Sequence, residues 1–597
     1  MVAPMTRQLI WTVVPAGRVA TIDAQPMALF SLLLTPRLLG PSDQPLQLND
    51  FGLQTWPQRV AAVTFSAQRG GAPLPAGAKI RRVPYLGIDG TQIQFSIDQQ
   101  SSAWGTMFPP DMLVRPYQST SYSGRPVVEF PASQAGAQIS TAYSGSTQAL
   151  ATLHPGEPIA LRESLRTVNE SWQTGLSAPD QPTDQPSPLR QAYDFYRRPG
   201  TDAPPPADVH DFHDVVSRLA DHPMLLRALG LLIDLAVPAS ALAPSDTPMT
   251  LQVIPAWPNP DLTAPPGWAD AAQQDLSPST AYTLEGSRFL PATDPGPQAA
   301  PFTGGMLAAA DAAPAGAGGN PRFEIMPFDV DGAVLRMVSV ATADAGQPAP
   351  AQPDHTGLPA LRTAGFALID IQRTAEHTNR LQRAEQRAST AGLLGSPLTA
   401  DNLISGYRVD IFDDHTQQWR SLCRRRMQYS VGDVQIGTAD AGLLDEGSVR
   451  VDSVTTGADD DSLYVHQAIA RWDGWSLVGS RPERIADPII TPPQPFTVAQ
   501  THDPGSLPRL RFGRNYRLRV RLADIAGGGL QLEEPGIDEQ QSQLFTHRRF
   551  EPIAAPELLP TRPYLDGESQ AQLVIRSDRA TSATAYAAAH GYRPDDQ

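Results

Sequence analysis

The sequence predicts a mainly β chain of several antiparallel sandwich or barrel domains with a small helical insertion. Three observations carry that expectation. Short alternating or continuous apolar runs recur between clusters of turn residues. The chain holds 60 prolines and 46 glycines, more than usual but short of the ~25–30% that marks low complexity. Hydrophobic residues make up 41% of 597 residues, enough apolar surface to fold but too much chain for one core, so about three to five domains are expected.

Residues 1–175 read as an N-terminal β domain, with strand-like runs at Leu9 to Val14, Ala28 to Thr35, Val60 to Phe65, Ile80 to Tyr85, Thr91 to Ile97 and Val127 to Phe130. The cluster starting at Gly70-Gly71 contains prolines that exclude it from a sheet interior. Residues 176–245 read as a linker plus a helical segment, with a short helix at Leu189 to Arg197. A stronger helical signal starts at Asp208 and runs through His213, Val216 and Leu219, then restarts after Pro223 with Leu225, Leu226, Leu229, Leu232 and Ile233. Spacings of three and four predict two helices with a bend, Asp221 capping the second and Pro223 in its first turn.

Residues 246–370 read as a second β domain, with strands at Leu251 to Ile254, Ala281 to Leu284 and Phe323 to Val340, the last folded back at Asp331-Gly332. Residues 371–400 change to Gln, Arg, Glu and Thr without a core-facing stripe, which predicts a solvated helix or a linker. In residues 401–532, Ile404 to Asp414 and Trp419 to Leu422 form a hairpin. A later strand alternates Tyr516, Leu518, Val520 and Leu522 inward with Arg517, Arg519 and Arg521 outward. Residues 533–597 form a C-terminal segment that reads as the opening of an incomplete domain.

Gly406, Tyr407, Val409 and Trp419, followed by Gly513, Tyr516, Arg519, Val520, Asp524, Ala526 and Gly527, resemble the two strand patterns of a fibronectin type III module. The resemblance covers residues 401–530 and implies a sandwich, not an activity. Tyr407 and Tyr516 lie 109 positions apart, so an insertion separates them, given that a whole module has ~100 residues. A broader resemblance is to large uncharacterised bacterial proteins from high-GC genomes, carried by Pro36 to Leu38, His213 to Asp234, Tyr407 to Leu422, Trp472 to Trp475 and Arg549 to Pro552. It supplies no catalytic residue.

Forty-six basic against 62 acidic residues give a net charge of −16, a field that repels phosphate backbones and disfavours nucleic-acid binding. A lone cysteine, Cys423, forms no intramolecular disulfide. Cationic neighbours would favour a reactive thiol, whereas strand alternation, the preferred reading, points it inward. No secretory signal is apparent, and apolar runs fall short of the ~20 residues of a membrane span, so the chain is expected to be soluble and cytoplasmic by default.

His210 and His213 share a helical face as a zinc pair would, but capping by the surrounding acids is favoured because no third ligand is evident. Asp329-Val330-Asp331-Gly332 begins like a calcium loop, yet Ala333 stands at position five, which favours a hairpin turn. Asp459 to Asp461 would suit calcium, with solvated loop carboxylates as the favoured reading. No cofactor is expected, calcium and zinc being the only ions considered. Trp472, Asp473 and Trp475 would suit sugar stacking, although a tryptophan pair pinning a hairpin is the preferred role. No nucleophile elbow, zinc helix, phosphate loop or dinucleotide fingerprint occurs. The expected function is therefore a noncatalytic structural or interaction protein with unidentified protein partners, including the version in which it belongs to a phage-tail-like assembly. The competing expectation is a carbohydrate-active hydrolase with accessory β modules.

Overall fold

The computed structural model describes residues 5–41, 45–119, 121, 124–140, 188–196, 211–242, 245–258, 272–296, 300–315, 321–335, 365–437, 442–451, 454–455, 462–481, 495–534, 536–548 and 583–591. They form a mainly β protein of several sheets with few helices. The chain opens with a long antiparallel hairpin, β1 (Thr6–Ile22) and β2 (Gln25–Leu39). Asp23 and Ala24 turn it at φ values of 49° and 61°, the left-handed pair whose twist matches the strands. Pro15 lies beside a register shift that ends at Val19, where a missing N–H does not interrupt the ladder.

Two of the strand-like runs are partly helical. Residues 56–62 form a helix before the strand Thr64–Arg69, and Ile97 opens a helix to Met107 that Ser96 caps. The predicted helical insertion begins at α1 (Phe212–Leu219), whose N-cap Asp211 accepts from the Asp214 N–H at 2.9 Å. Its second helix, α2 (Pro223–Ala228), is only six residues long, and its N-cap is His222 rather than Asp221. Gly230 then adopts φ 68°, and the remaining apolar text is β3 (Leu232–Pro238), paired with β2. The expected continuous second helix is thus corrected to a helix and a strand. Fully buried strands and buried helices both read as apolar runs, and the glycine breaks the tie.

The first sheet has the order 272–276, β1, β2, β3, 81–82, and pairs residues as far apart in sequence as Thr6 and Ala272. The second joins 288–291, 280–285, 245–256, 64–69 and 72–73, with Pro73 on the edge where its lost donor is harmless. Most pairings are antiparallel, while β1 with 272–276, 127–130 with 463–466, and 313–314 with 323–326 are parallel. The predicted Asp331-Gly332 hairpin is also corrected: residues 330–335 are helical, and the Asp329 carboxylate caps them by accepting from the Gly332 N–H at 3.1 Å.

The polar segment predicted as a helix or linker is helix α3 (Arg373–Gln386). Beyond it, β4 (Ile404–Asp413) forms the predicted hairpin with Gln418–Ser421. Strands β5 (Arg424–Val431) and β6 (Leu443–Glu446) pair in a separate sheet. The strand β7 (Asn515–Asp524) lies antiparallel to β4, aligning Val409 with Val520 and Asp410 with Arg519. Tyr407, Val409, Ile411, Leu518 and Val520 share one core with Phe366 and Trp472. A larger core joins the N-terminal hairpin to Leu225, Leu235, Met427 and Tyr429. Among the described residues no helix is long and apolar enough to cross a membrane.

Candidate functional site

A cleft of about 590 Å³ opens where α1, α2 and β2 meet α3, the start of β4, strands β5 and β6, and the turn after β7. Each wall has a local cause. Asp211 starts α1, and His222-Pro223 turns the chain into α2, so His222 sits at the corner between the two helices. Tyr429 alternates inward on β5, and the Asp524 carboxylate accepts from the N–H groups of Ala526 and Gly528 at 2.8 Å each, closing the turn that follows β7.

The charged side chains of the cleft are tied within the protein. Arg227 forks onto Asp234 at 2.7 and 2.8 Å, donates to the Ala526 carbonyl at 3.0 Å, and lies 3.9 Å from the Tyr85 ring centre. Arg425 grips Asp445 at 2.8 and 3.0 Å, and Arg408 donates to the carbonyls of Glu446 and Gly527. Arg450 pairs with Asp221. Behind this wall, Arg521 bridges Asp410 and Glu446, and Arg519 shares Asp410 while stacking 4.1 Å from the Trp419 ring centre. Arg519 and Arg521 are 2% and 0% exposed: they lie on the face opposite the core, as the alternation predicts, but that face is covered rather than solvated. The segment carrying Leu530 and Leu532 covers that face, its carbonyls accepting from both guanidiniums.

Burial alone would raise the Glu446 pKa, but the Arg521 and Arg408 charges override it and hold the carboxyl well below its usual range. Asp524 goes the other way: burial raises it, against its two backbone donors and Arg408. His222 is pushed down to about 4 by burial and by the Arg425 charge, so its imidazole is neutral at pH 7. Its Nδ1 is buried with no hydrogen-bond partner among the described residues. The phenol oxygens of Tyr85 and Tyr429 likewise hydrogen-bond to none of the described residues, although both residues line the cleft. Burial raises both phenol pKa values, which keeps these oxygens protonated.

The predicted site residues lie elsewhere. His213 Nε2 accepts from the Leu38 N–H at 3.0 Å, and burial lowers its pKa, so the ring joins α1 to β2 as a neutral acceptor. His210, Asp459 and Asp461 lie outside the described residues. Among the described residues no cluster of three or more His, Cys, Asp or Glu side chains is placed to hold a metal. Asp329 and Asp331 instead pair with Arg471 at 3.0 and 2.9 Å, and Asp331 also bonds His466. Cys423 is buried, with its thiol pushed up to about 12 by burial.

Trp472 is 2% exposed and packs edge-on against Phe366 and Tyr516. Trp475 is half-buried against His502, and Asp473 pairs with Arg481 at 2.7 Å. The two tryptophans make separate contacts rather than the expected cross-strand pair, and neither lines the cleft. Sequence reading passed over Tyr85, His222, Tyr429 and Asp524 as site residues, because they become neighbours only when sheets built from distant strands meet. The one local signal was His222-Pro223, read as a bend. Comparison with protein-family models, curated proteins and solved structures finds no match to this chain.

Proposed function

We propose that the protein is a noncatalytic structural or interaction component that works through fixed polar surfaces. The observation that carries this reading is the state of the cleft: its guanidiniums are committed to carboxylates and carbonyls of the same chain, and Trp472 and Trp475 are absent from its wall. Such pairing orders and rigidifies a polar surface. Residues 401–532 act in this reading as a fibronectin type III-like sandwich. Supporting that, β4 and β7 lie side by side, and the Tyr516 hydroxyl donates to the Arg509 carbonyl at 2.8 Å while accepting from the Arg511 N–H at 3.0 Å. This bonding resembles the tyrosine corner of immunoglobulin-like sandwiches.

Membership of a larger assembly, including a phage-tail-like one, is tested by recovering the tagged full chain from its source cells and measuring native mass. A complex of fixed stoichiometry is the expected result. Recovery of the chain alone would count against it.

One observation favours a second reading, glycoside hydrolysis. Asp524 lines the cleft, and burial shifts its carboxyl upward, the direction that suits an acid protonating a leaving group. Release of reducing ends from neutral polysaccharides by the full chain, abolished in Asp524→Asn, would establish that reading over the first; no release from either protein would remove it.

A further inference from the structure

We propose that the cleft between α1–α2 and β5–β6 binds a neutral, hydroxyl-rich ligand, a short oligosaccharide. The inference rests on the cleft being the recognition surface of the preceding reading and names what it recognises. A volume of about 590 Å³ falls within the ~300–1,000 Å³ of small-molecule sites. What remains without a hydrogen-bond partner among the described residues there decides the chemistry.

An anionic ligand is the less suitable occupant. Arg227 spends its donors on Asp234, Ser31 and the Pro223 and Ala526 carbonyls, and Arg425 spends its own on Asp445 and Gln500. A phosphate or carboxylate would have to displace these partners, and the net charge of −16 opposes its approach. Among the described residues, the groups left over include the neutral Tyr85 and Tyr429 phenols and the His222 imidazole, whose Nδ1 has no partner. The His222 and Tyr429 ring centres lie 5.8 Å apart, and Tyr85 lines the same cleft. Each phenol both donates and accepts, and the neutral imidazole has one nitrogen of each kind. Sugar hydroxyls have that same dual character, so they satisfy these groups in either direction, whereas a peptide backbone offers donors and acceptors of fixed sense. Leu33, Leu226 and Leu443 also line the cleft and supply apolar surface for the C–H faces of sugar rings.

The test is ligand-observed saturation-transfer NMR and titration calorimetry on the full chain. The neutral probes are maltotriose, cellotriose and triacetylchitotriose. Trigalacturonate, inorganic phosphate and a blocked alanine tripeptide serve as comparators. Tyr429→Phe and Tyr85→Phe remove one oxygen each and keep the ring, and their thermal midpoints verify folding. The expected result is binding of at least one neutral trisaccharide, weakened about fivefold to tenfold by each variant, as for loss of one net hydrogen bond. The proposal is overturned if no neutral trisaccharide binds at millimolar concentration, if a comparator binds more tightly, or if both folded variants bind like the parent. Failure here leaves the assembly reading intact, because native mass is read independently of sugar binding.

Discussion

Arg521 donates all five of its N–H groups inside the protein: to both oxygens of Asp410, to both of Glu446, and to the Leu530 carbonyl. A cation with no contact to water is stable only when its hydrogen bonds are complete. Removing it leaves Glu446 and Asp410 short of their counter-charge. Arg521→Met is therefore expected to cost about 3–5 kcal/mol in urea unfolding followed by tryptophan fluorescence; a loss below ~1 kcal/mol would contradict a buried network that depends on this residue. Alternation along β7 was legible in its sequence: Tyr516, Leu518 and Val520 do face a core. The surroundings of the other face were not, since Glu446 and Asp410 reach Arg521 from 75 and 111 positions away.

At the scale of elements, Gly230 decides between two readings of one apolar stretch. Its φ of 68° ends α2 and reverses the chain into β3, where Asp234 meets Arg227 of the preceding helix. A side chain there suffers twice. The left-handed conformation costs an L-residue about 1–2 kcal/mol, and a Cβ would lie 3.1 Å from Val60 Cγ1. Gly230→Ala is expected to lower stability by about 2 kcal/mol, read from the denaturation midpoint at unchanged m-value; an unshifted midpoint would mean that the turn carries no strain. Helix α3 shows the complementary case. Its lack of an apolar stripe was readable, but its attachment was not: Arg383 bonds Asp294 and Asp401, and Arg380 donates to the Ile404 carbonyl. Composition reports that a helix is polar without reporting which partners hold it.

The whole molecule is assembled from sheets whose strands are far apart in sequence, so the β class was legible from local periodicity while the neighbours of each strand, and hence the cleft, were not. One consequence of that assembly is global and measurable: two partly buried groups on different elements titrate with opposite effects on stability. On α3, burial and the neighbouring Asp370 push Glu376 up to about 7, against the pull of Arg322 and Arg373. Its folded pKa lies above the unfolded 4.5, so stability is lost as pH rises from about 4.5 to 7. His222 lies at about 4 against 6.5 unfolded, so stability is lost as pH falls through that window. Each shift is worth roughly 3 kcal/mol, and between pH ~4.5 and 6.5 the two slopes cancel in the parent protein. Single variants expose them. Glu376→Gln is expected to gain on the parent by roughly 3 kcal/mol as pH rises across the window, and His222→Phe to gain by a similar amount as pH falls. Urea unfolding of the three proteins at both ends of the window measures the two differences. Differences that stay constant with pH, or that move in the same direction, would show that the buried environments of α3 and of the helix corner do not hold these groups in the protonation states the fold requires.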